Sequence, residues 1–109
     1  GGVVSPDGLR LLTWSHDGTA LCWDLETGME LLSLKGADRI LATAAYSPDG
    51  QRIYTLAGRG TPKVWDADSG TELASLPSMG EQNFAASFCP DGKELITLTD
   101  AHAYVWSSL

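Results

Sequence analysis

One four-residue segment recurs along the chain at a constant interval, and no other feature restricts the possible folds as strongly. The segment Ser5-Pro6-Asp7-Gly8 returns as Ser47-Pro48-Asp49-Gly50 and then as Cys89-Pro90-Asp91-Gly92, each time 42 residues later. A fixed period of roughly 20 to 50 residues is the signature of repeat architectures, in which each unit packs against its neighbours. The chain is therefore predicted to be a repeat protein.

Residues outside this segment keep the same period. Leu31 is followed by Leu73, and Tyr46 by Phe88, at the interval of 42 residues. A Trp-Asp pair occurs at 23–24 and again at 65–66, whereas the third tryptophan follows after 41 residues and precedes a serine. The period also relates three threonines and three tryptophans: Thr13, Thr55 and Thr97, and Trp23, Trp65 and Trp106. We expect these tryptophans to lie in the core.

Within each period the residues have the pattern of short strands separated by tight turns. Apolar residues alternate with polar ones over short stretches, and no segment has the apolar stripe of an amphipathic helix. The Pro-Asp-Gly turns suit hairpins, because proline presets φ, aspartate bonds its own backbone and glycine accepts positive φ. The predicted first strands are 40–46 and 83–88, together with the end of an earlier one at Val3 and Val4. The predicted second strands are 11–15 and 52–57. The predicted third strands are 20–23, 63–65 and 103–106, and the fourth strands are 29–34 and 71–76.

Four antiparallel strands in about 42 residues, with a Trp-Asp pair at the end of the third, resemble a blade of the WD-repeat β-propeller family. The resemblance covers essentially the whole chain. It implies an all-β fold of four-stranded antiparallel sheets, arranged as propeller blades in an incomplete ring. We assign a partial first blade to residues 1–35, a complete second blade to 36–77, and a third blade without its fourth strand to 78–109.

The resemblance also implies a hydrogen-bond network in each blade. Its members are a tryptophan in the third strand, a hydroxyl residue in the second, an aspartate in the turn between them, and a histidine before the first strand. Arg59 stands where the second blade should have aspartate, and the family's Gly-His is replaced by Gly36-Ala37 and Ser78-Met79. The matching residues are Thr13, Asp17 and Trp23, then Thr55 and Trp65, and finally Thr97, Asp100 and Trp106.

Three large apolar residues, Trp14, Leu56 and Leu98, occupy the position after each of these threonines. The family usually has a small residue there. We expect all three side chains to pack between neighbouring blades.

The number of repeats is too small for a closed ring. A chain of 109 residues holds about 2.6 periods of 42, whereas propellers close with about four to eight blades. An open stack would expose apolar sheet faces at both ends and leave strand edges unpaired. Three explanations stay open: a piece of a longer propeller chain, which we favour, a unit that closes by homo-oligomerisation, or an open monomeric arc.

Charge and composition exclude several classes of partner. The net charge is −7, which disfavours nucleic acids and anionic membranes, because phosphate contacts need a basic face. The sequence has no apolar stretch of about eighteen residues and no visible signal peptide. Cys22 and Cys89 are far apart, so we expect free thiols in a reducing compartment, the cytoplasm.

The residues that could carry chemistry have simpler structural roles. Ser15, His16 and Asp17 are adjacent, but neighbouring strand residues face opposite sides, and the aspartate suits a turn. Short-spaced Cys and His pairs for a metal are missing, and the segment 58–61 lacks the lysine of a phosphate-binding loop. We therefore expect no enzymatic activity, no metal and no cofactor.

The remaining prediction is a binding platform. In WD-repeat proteins, the loops between second and third strands, and those between blades, line one face of the disc. Arginines anchor interfaces well, so Arg39 and Arg59 are the best candidates there, although both could be solubilising surface residues. The candidate partner-binding residues are Arg39, Arg59, Asp38, His16, Met79 and His102.

We accordingly predict a non-enzymatic protein-interaction scaffold that binds a protein or peptide through its loop face. Further blades would come from the rest of a longer chain or from other copies. Two alternatives stay open: a ligand-binding or enzymatic propeller, and a regulatory module of a larger multidomain protein. The first needs polar residues on the innermost strands, which supply only Thr43 and Ser87.

Overall fold

The computed structural model of the chain describes residues 1–15, 17–35, 41–57, 62–75 and 83–107. Within these ranges the chain forms strands and tight turns, and no helix in them could cross a bilayer. The prediction of an all-β fold is confirmed. The strands are β1 (Gly2–Val4), β2 (Arg10–Trp14), β3 (Thr19–Asp24), β4 (Glu30–Lys35), β5 (Leu41–Tyr46), β6 (Arg52–Ala57), β7 (Lys63–Asp66), β8 (Glu72–Ser75), β9 (Asn83–Phe88), β10 (Leu95–Thr99) and β11 (Ala103–Trp106).

The strands form three antiparallel sheets, each of which is a simple meander. Sheet 1 has the order β1-β2-β3-β4, sheet 2 has β5-β6-β7-β8, and sheet 3 has β9-β10-β11. The pairing of the third strand with the fourth shifts register between Cys22 and Trp23 in sheet 1 and between Val64 and Trp65 in sheet 2. A bulge of this kind bends the strand locally. Its recurrence one period later shows that the repeat extends to the backbone irregularities.

The Ser-Pro-Asp-Gly segments form the turns between the first two strands of sheets 1 and 2, and Cys89-Pro90-Asp91-Gly92 forms the equivalent turn of sheet 3. In sheet 1, the Asp7 carboxylate accepts hydrogen bonds from the Ser5 hydroxyl at 2.6 Å and from the Leu9 N–H at 2.9 Å. Gly8 has a φ of 76°, a left-handed conformation that disfavours residues with a side chain. The Ser5 oxygen in turn accepts the Arg10 N–H at 3.1 Å, which joins the turn to β2.

The regularly spaced aspartates serve as turn acceptors. Six of them accept the N–H of the residue two positions later, the pattern of an Asx turn. These are Asp7, Asp17, Asp24, Asp49, Asp66 and Asp91. The Ser5 hydroxyl holds the pKa of Asp7 below the usual range for aspartate, and the Ser47 hydroxyl does the same for the pKa of Asp49; backbone N–H donors contribute in both turns. Many of the acidic residues therefore have a structural role as hydrogen-bond acceptors in turns.

Sheets 1 and 2 pack face to face through a first core cluster. Trp65 is buried against sheet 1, and the partly buried Trp14, Leu32 and Tyr46 surround the cluster. Its buried members are Leu12, Ala20 and Leu34 from sheet 1 and Ala44, Ile53, Trp65 and Ala67 from sheet 2.

Sheets 2 and 3 pack through a second cluster, which uses the opposite face of sheet 2. Because strand residues alternate between faces, Ile53 points toward sheet 1 whereas Tyr54 points toward sheet 3. The buried members are Tyr54, Leu56, Val64 and Leu95, with Phe88 and Trp106 packed beside them. Sheet 2 thus lies between the other two sheets.

Two expectations about packing hold only in part. Trp65 is buried, and Trp106 is only partly buried beside the second cluster. Trp23 is partly exposed, because no sheet of the described chain covers its face of sheet 1. Trp14 and Leu56 pack between sheets as expected, whereas Leu98 is 43% exposed on the outer face of sheet 3. The position in the stack, rather than the position in the repeat, decides burial at the two ends.

Candidate functional site

The loop face is the end of the sheets that carries the turns between second and third strands and the connections between sheets. Its described residues are 15, 17–18, 62 and 99–102. Of the six predicted partner-binding residues, His102 is described. The other five, His16, Asp38, Arg39, Arg59 and Met79, lie outside the described residues.

The turn between β10 and β11 holds His102 at the loop face. The Thr99 hydroxyl oxygen accepts the His102 N–H at 2.9 Å, and the hydroxyl donates to the His102 carbonyl at 3.1 Å. The imidazole ring centre lies 5.6 Å from that of Tyr104, which in turn lies 6.0 Å from the Trp106 ring system. The exposed His102 ring is therefore the outer end of an aromatic row along β11.

Asp17 organises the corresponding turn of sheet 1. Its carboxylate accepts the Ser15 hydroxyl and the Thr19 N–H, and these donors, the hydroxyl first, lower the pKa of Asp17. The Ser15 hydroxyl donates to the aspartate of its own turn, as the Ser5 hydroxyl does to Asp7. In sheet 3, Asp100 lies exposed in the bend, and the Thr99 hydroxyl is the acceptor that closes the turn.

The structure brings the three periodic tryptophans and threonines together in pairs. The indole N–H of Trp23 donates to the Thr13 hydroxyl at 3.0 Å. The same bond joins Trp65 to Thr55 at 3.0 Å and Trp106 to Thr97 at 2.9 Å. Each bond ties the third strand to the second at one place in the sheet, so the framework behind the loops is the same in all three sheets.

A buried thiol and a tyrosine meet between sheets 1 and 2. The Cys22 Sγ lies 3.0 Å from the Tyr46 hydroxyl oxygen, and Cys22 is fully buried. Burial, together with this contact, raises the pKa of Tyr46. Neither Cys22 nor Cys89 forms a disulfide. This pair was not predicted from the sequence, because the two residues are 24 positions apart and share no motif.

A cleft lies at the end of the sheets opposite the loop face, and the sequence analysis did not predict it. It has a volume of about 560 Å³ and separates the Pro-Asp-Gly turns of sheets 2 and 3. Both acidic and basic side chains line its wall. The lining residues are Asp49, Gln51, Arg52, Asp91, Gly92, Lys93, Glu94 and Ser107. The only sequence signal for it was the regular recurrence of the turns.

In the part of the chain that the structure describes, no group of three or more His, Cys, Asp or Glu side chains could hold a metal ion. Comparison with protein-family models and with curated proteins gives no match to this chain.

Proposed function

We propose that this chain is a segment of a WD-repeat β-propeller that acts as a non-enzymatic scaffold and binds a protein or peptide through its loop face. One observation carries the proposal: three antiparallel meanders are stacked face to face, and each contains the same Trp–Thr bond between its second and third strands. This repeated framework supports loops that differ in sequence from one sheet to the next.

The framework and the loops divide the chemistry between them. Six turn aspartates, and the three threonines bonded to tryptophans, are engaged in local hydrogen bonds, so these groups hold the structure. His102 is exposed at the loop face and is positioned by its own turn. In solenoid and propeller architectures, rigid repeats commonly present variable loops as the binding surface. A scaffold is the function that fits this division best.

Selection of peptides from a random display library against the 109-residue chain tests the proposal. Selected peptides should bind the Arg39→Ala and Arg59→Ala variants at least about fivefold more weakly, since arginines are frequent anchors of interfaces. Lys93→Ala is the matched control, because it removes one positive charge at the exposed turn of the opposite end.

The outcome separates the loop face from the rest of the surface. Weaker binding by the two arginine variants, with Lys93→Ala unchanged, supports the proposal. Binding that depends on Lys93 and not on the arginines would place the site at the opposite end and contradict it. Failure to select any peptide would contradict a peptide-binding scaffold.

A further inference from the structure

The two outer faces of the stack differ from each other in a specific way. In every sheet, one face carries the threonine-bonded tryptophan, and we call it the tryptophan face; the other is the reverse face. The tryptophan face of sheet 2 is covered by the reverse face of sheet 1, and that of sheet 3 by the reverse face of sheet 2. Among the described residues, the tryptophan face of sheet 1 and the reverse face of sheet 3 are uncovered.

The two existing interfaces use equivalent positions. At the first, Cys22 of the reverse face meets Tyr46 of the tryptophan face. One period later, these positions hold Val64 and Phe88, which both belong to the second core cluster. The interface is therefore a repeated unit, and a polar pair at the first is replaced by an apolar pair at the second.

The uncovered faces carry the two halves of a third interface of the same kind. The next equivalents of the Cys22 and Tyr46 positions are Val105 on sheet 3 and Val4 on sheet 1, which are 60% and 50% exposed. Leu98, the equivalent of Trp14 and Leu56, is 43% exposed beside Val105. These apolar side chains stand where an interface of the same kind would bury them.

We propose that the reverse face of sheet 3 in one copy of the chain docks on the tryptophan face of sheet 1 in a second copy. Val105 of the first copy then lies against Val4 of the second, and the two existing interfaces are continued by a third. The contact is head to tail, so after a single docking event the first copy keeps its free tryptophan face on sheet 1 and the second keeps its free reverse face on sheet 3. Further copies can add until the stack closes.

One pair of residues weakens this docking and gives it a distinctive test. At the first interface, the Arg10 guanidinium donates to the Ala67 carbonyl at 3.1 Å and lies 3.4 Å from the Asp68 carboxylate. The residues that correspond to Arg10 and Asp68 at the third interface are Glu94 and Glu26. Two carboxylates therefore face each other where the first interface has an ion pair, and they repel.

Sedimentation velocity on the full 109-residue chain over a range of concentrations tests the proposal. The chain should associate as concentration rises, and Glu26→Arg should lower the concentration needed by about fivefold, because it replaces repulsion with attraction at an exposed site outside the cleft between sheets 2 and 3. Asp100→Arg is the matched control, since it makes the same change of charge in an exposed bend away from both faces. A wild-type chain that stays monomeric throughout, or an equal gain from both variants, would overturn the proposal.

The head-to-tail arrangement has its own test. Val4→Asp blocks one face and Val105→Asp the other, and each variant alone should be monomeric. A mixture should form a dimer with one copy of each, because one intact pair of faces remains. If either variant dimerises alone, like faces pair and the proposal is wrong. Circular dichroism verifies the sheets of both variants, and Leu98→Asp replaces Val105→Asp if the latter does not fold.

Discussion

The sulfur of Cys22 lies 3.0 Å from the hydroxyl oxygen of Tyr46, across the boundary between sheets 1 and 2. Cys22 is on the reverse face of β3 and is fully buried, while Tyr46 ends β5 beside the first core cluster. Because the thiol has no access to water, the tyrosine hydroxyl satisfies its weak hydrogen-bonding capacity. The same two positions at the next interface hold Val64 and Phe88, so the chain contains both a polar and an apolar solution to one packing problem.

Removing the hydroxyl alone should destabilise the fold, and removing both polar groups should not. Tyr46→Phe leaves the buried thiol without a partner and is expected to lower the free energy of unfolding by about 1 kcal/mol. The double variant Cys22→Val/Tyr46→Phe copies the second interface and should recover most of that loss. Urea denaturation of the two single variants and the double variant measures the coupling. Strictly additive effects would show that the contact contributes nothing.

The same pair predicts the response to alkaline pH. Burial and the Cys22 contact raise the pKa of Tyr46, so the folded state favours the neutral phenol. The contribution of Tyr46 to stability is therefore complete below the unfolded pKa of about 10 and is lost as pH rises above it. We expect phenolate absorbance from Tyr46 to appear only together with loss of the sheet signal in circular dichroism. Subtraction of the Tyr46→Phe titration isolates this residue, and ionisation near pH 10 in an intact fold would contradict the prediction.

The third turn offers a substitution that should stabilise the chain. In the first two turns, Ser5 and Ser47 donate to the following aspartate at 2.6 Å and accept the N–H of Arg10 or Arg52. Cys89 occupies this position in the third turn, where a thiol is a weaker donor and acceptor. Cys89→Ser should raise the free energy of unfolding by about 1 kcal/mol.

The reverse exchange is the control for this prediction. Ser47→Cys places the third turn's residue in the second turn and should lower the free energy of unfolding by a similar amount. Thermal denaturation followed by circular dichroism measures both variants. If both substitutions shift the midpoint in the same direction, the serine bonds are not the cause.

The sequence period predicted features that depend on one repeat alone, such as strand boundaries. Strand β6 (Arg52–Ala57) and strand β11 (Ala103–Trp106) begin and end at the predicted residues, because turn residues flank both. Contacts between sheets were not predicted. The pairing of Cys22 with Tyr46 depends on which sheet lies beside which, and alternation along a strand gives the face of a residue but not its neighbour.

The same reason explains the exposed Leu98. It occupies the same position in the repeat as the buried Leu56, yet sheet 3 has no described neighbour on its reverse face. In the last turn the acceptor is Thr99 and not Asp100, because of the conformation of that bend. The sequence period does not predict this conformation.

The bond between a tryptophan indole and a threonine hydroxyl recurs in three sheets. Its contribution to the free energy of unfolding should increase with its burial. The Trp65 indole donates to Thr55 at 3.0 Å inside the first interface, where Thr55 is 4% exposed. The Trp23 indole donates to Thr13 over the same distance on the uncovered face of sheet 1. Thr→Val removes the acceptor in either case, but only the buried indole N–H is then left without water as a substitute partner.

We therefore expect Thr55→Val to lower the free energy of unfolding by about 1–3 kcal/mol and Thr13→Val by well under half as much. Urea denaturation followed by circular dichroism measures both variants, and the two Thr→Ser variants, which keep the acceptor and remove the methyl group instead, are the matched controls. Equal losses at positions 55 and 13 would mean that the face of sheet 1 that carries Trp23 is covered in solution. In that case, the loss for Thr13→Val should decrease on dilution or in the Val105→Asp background, since both remove the second copy that we propose docks there.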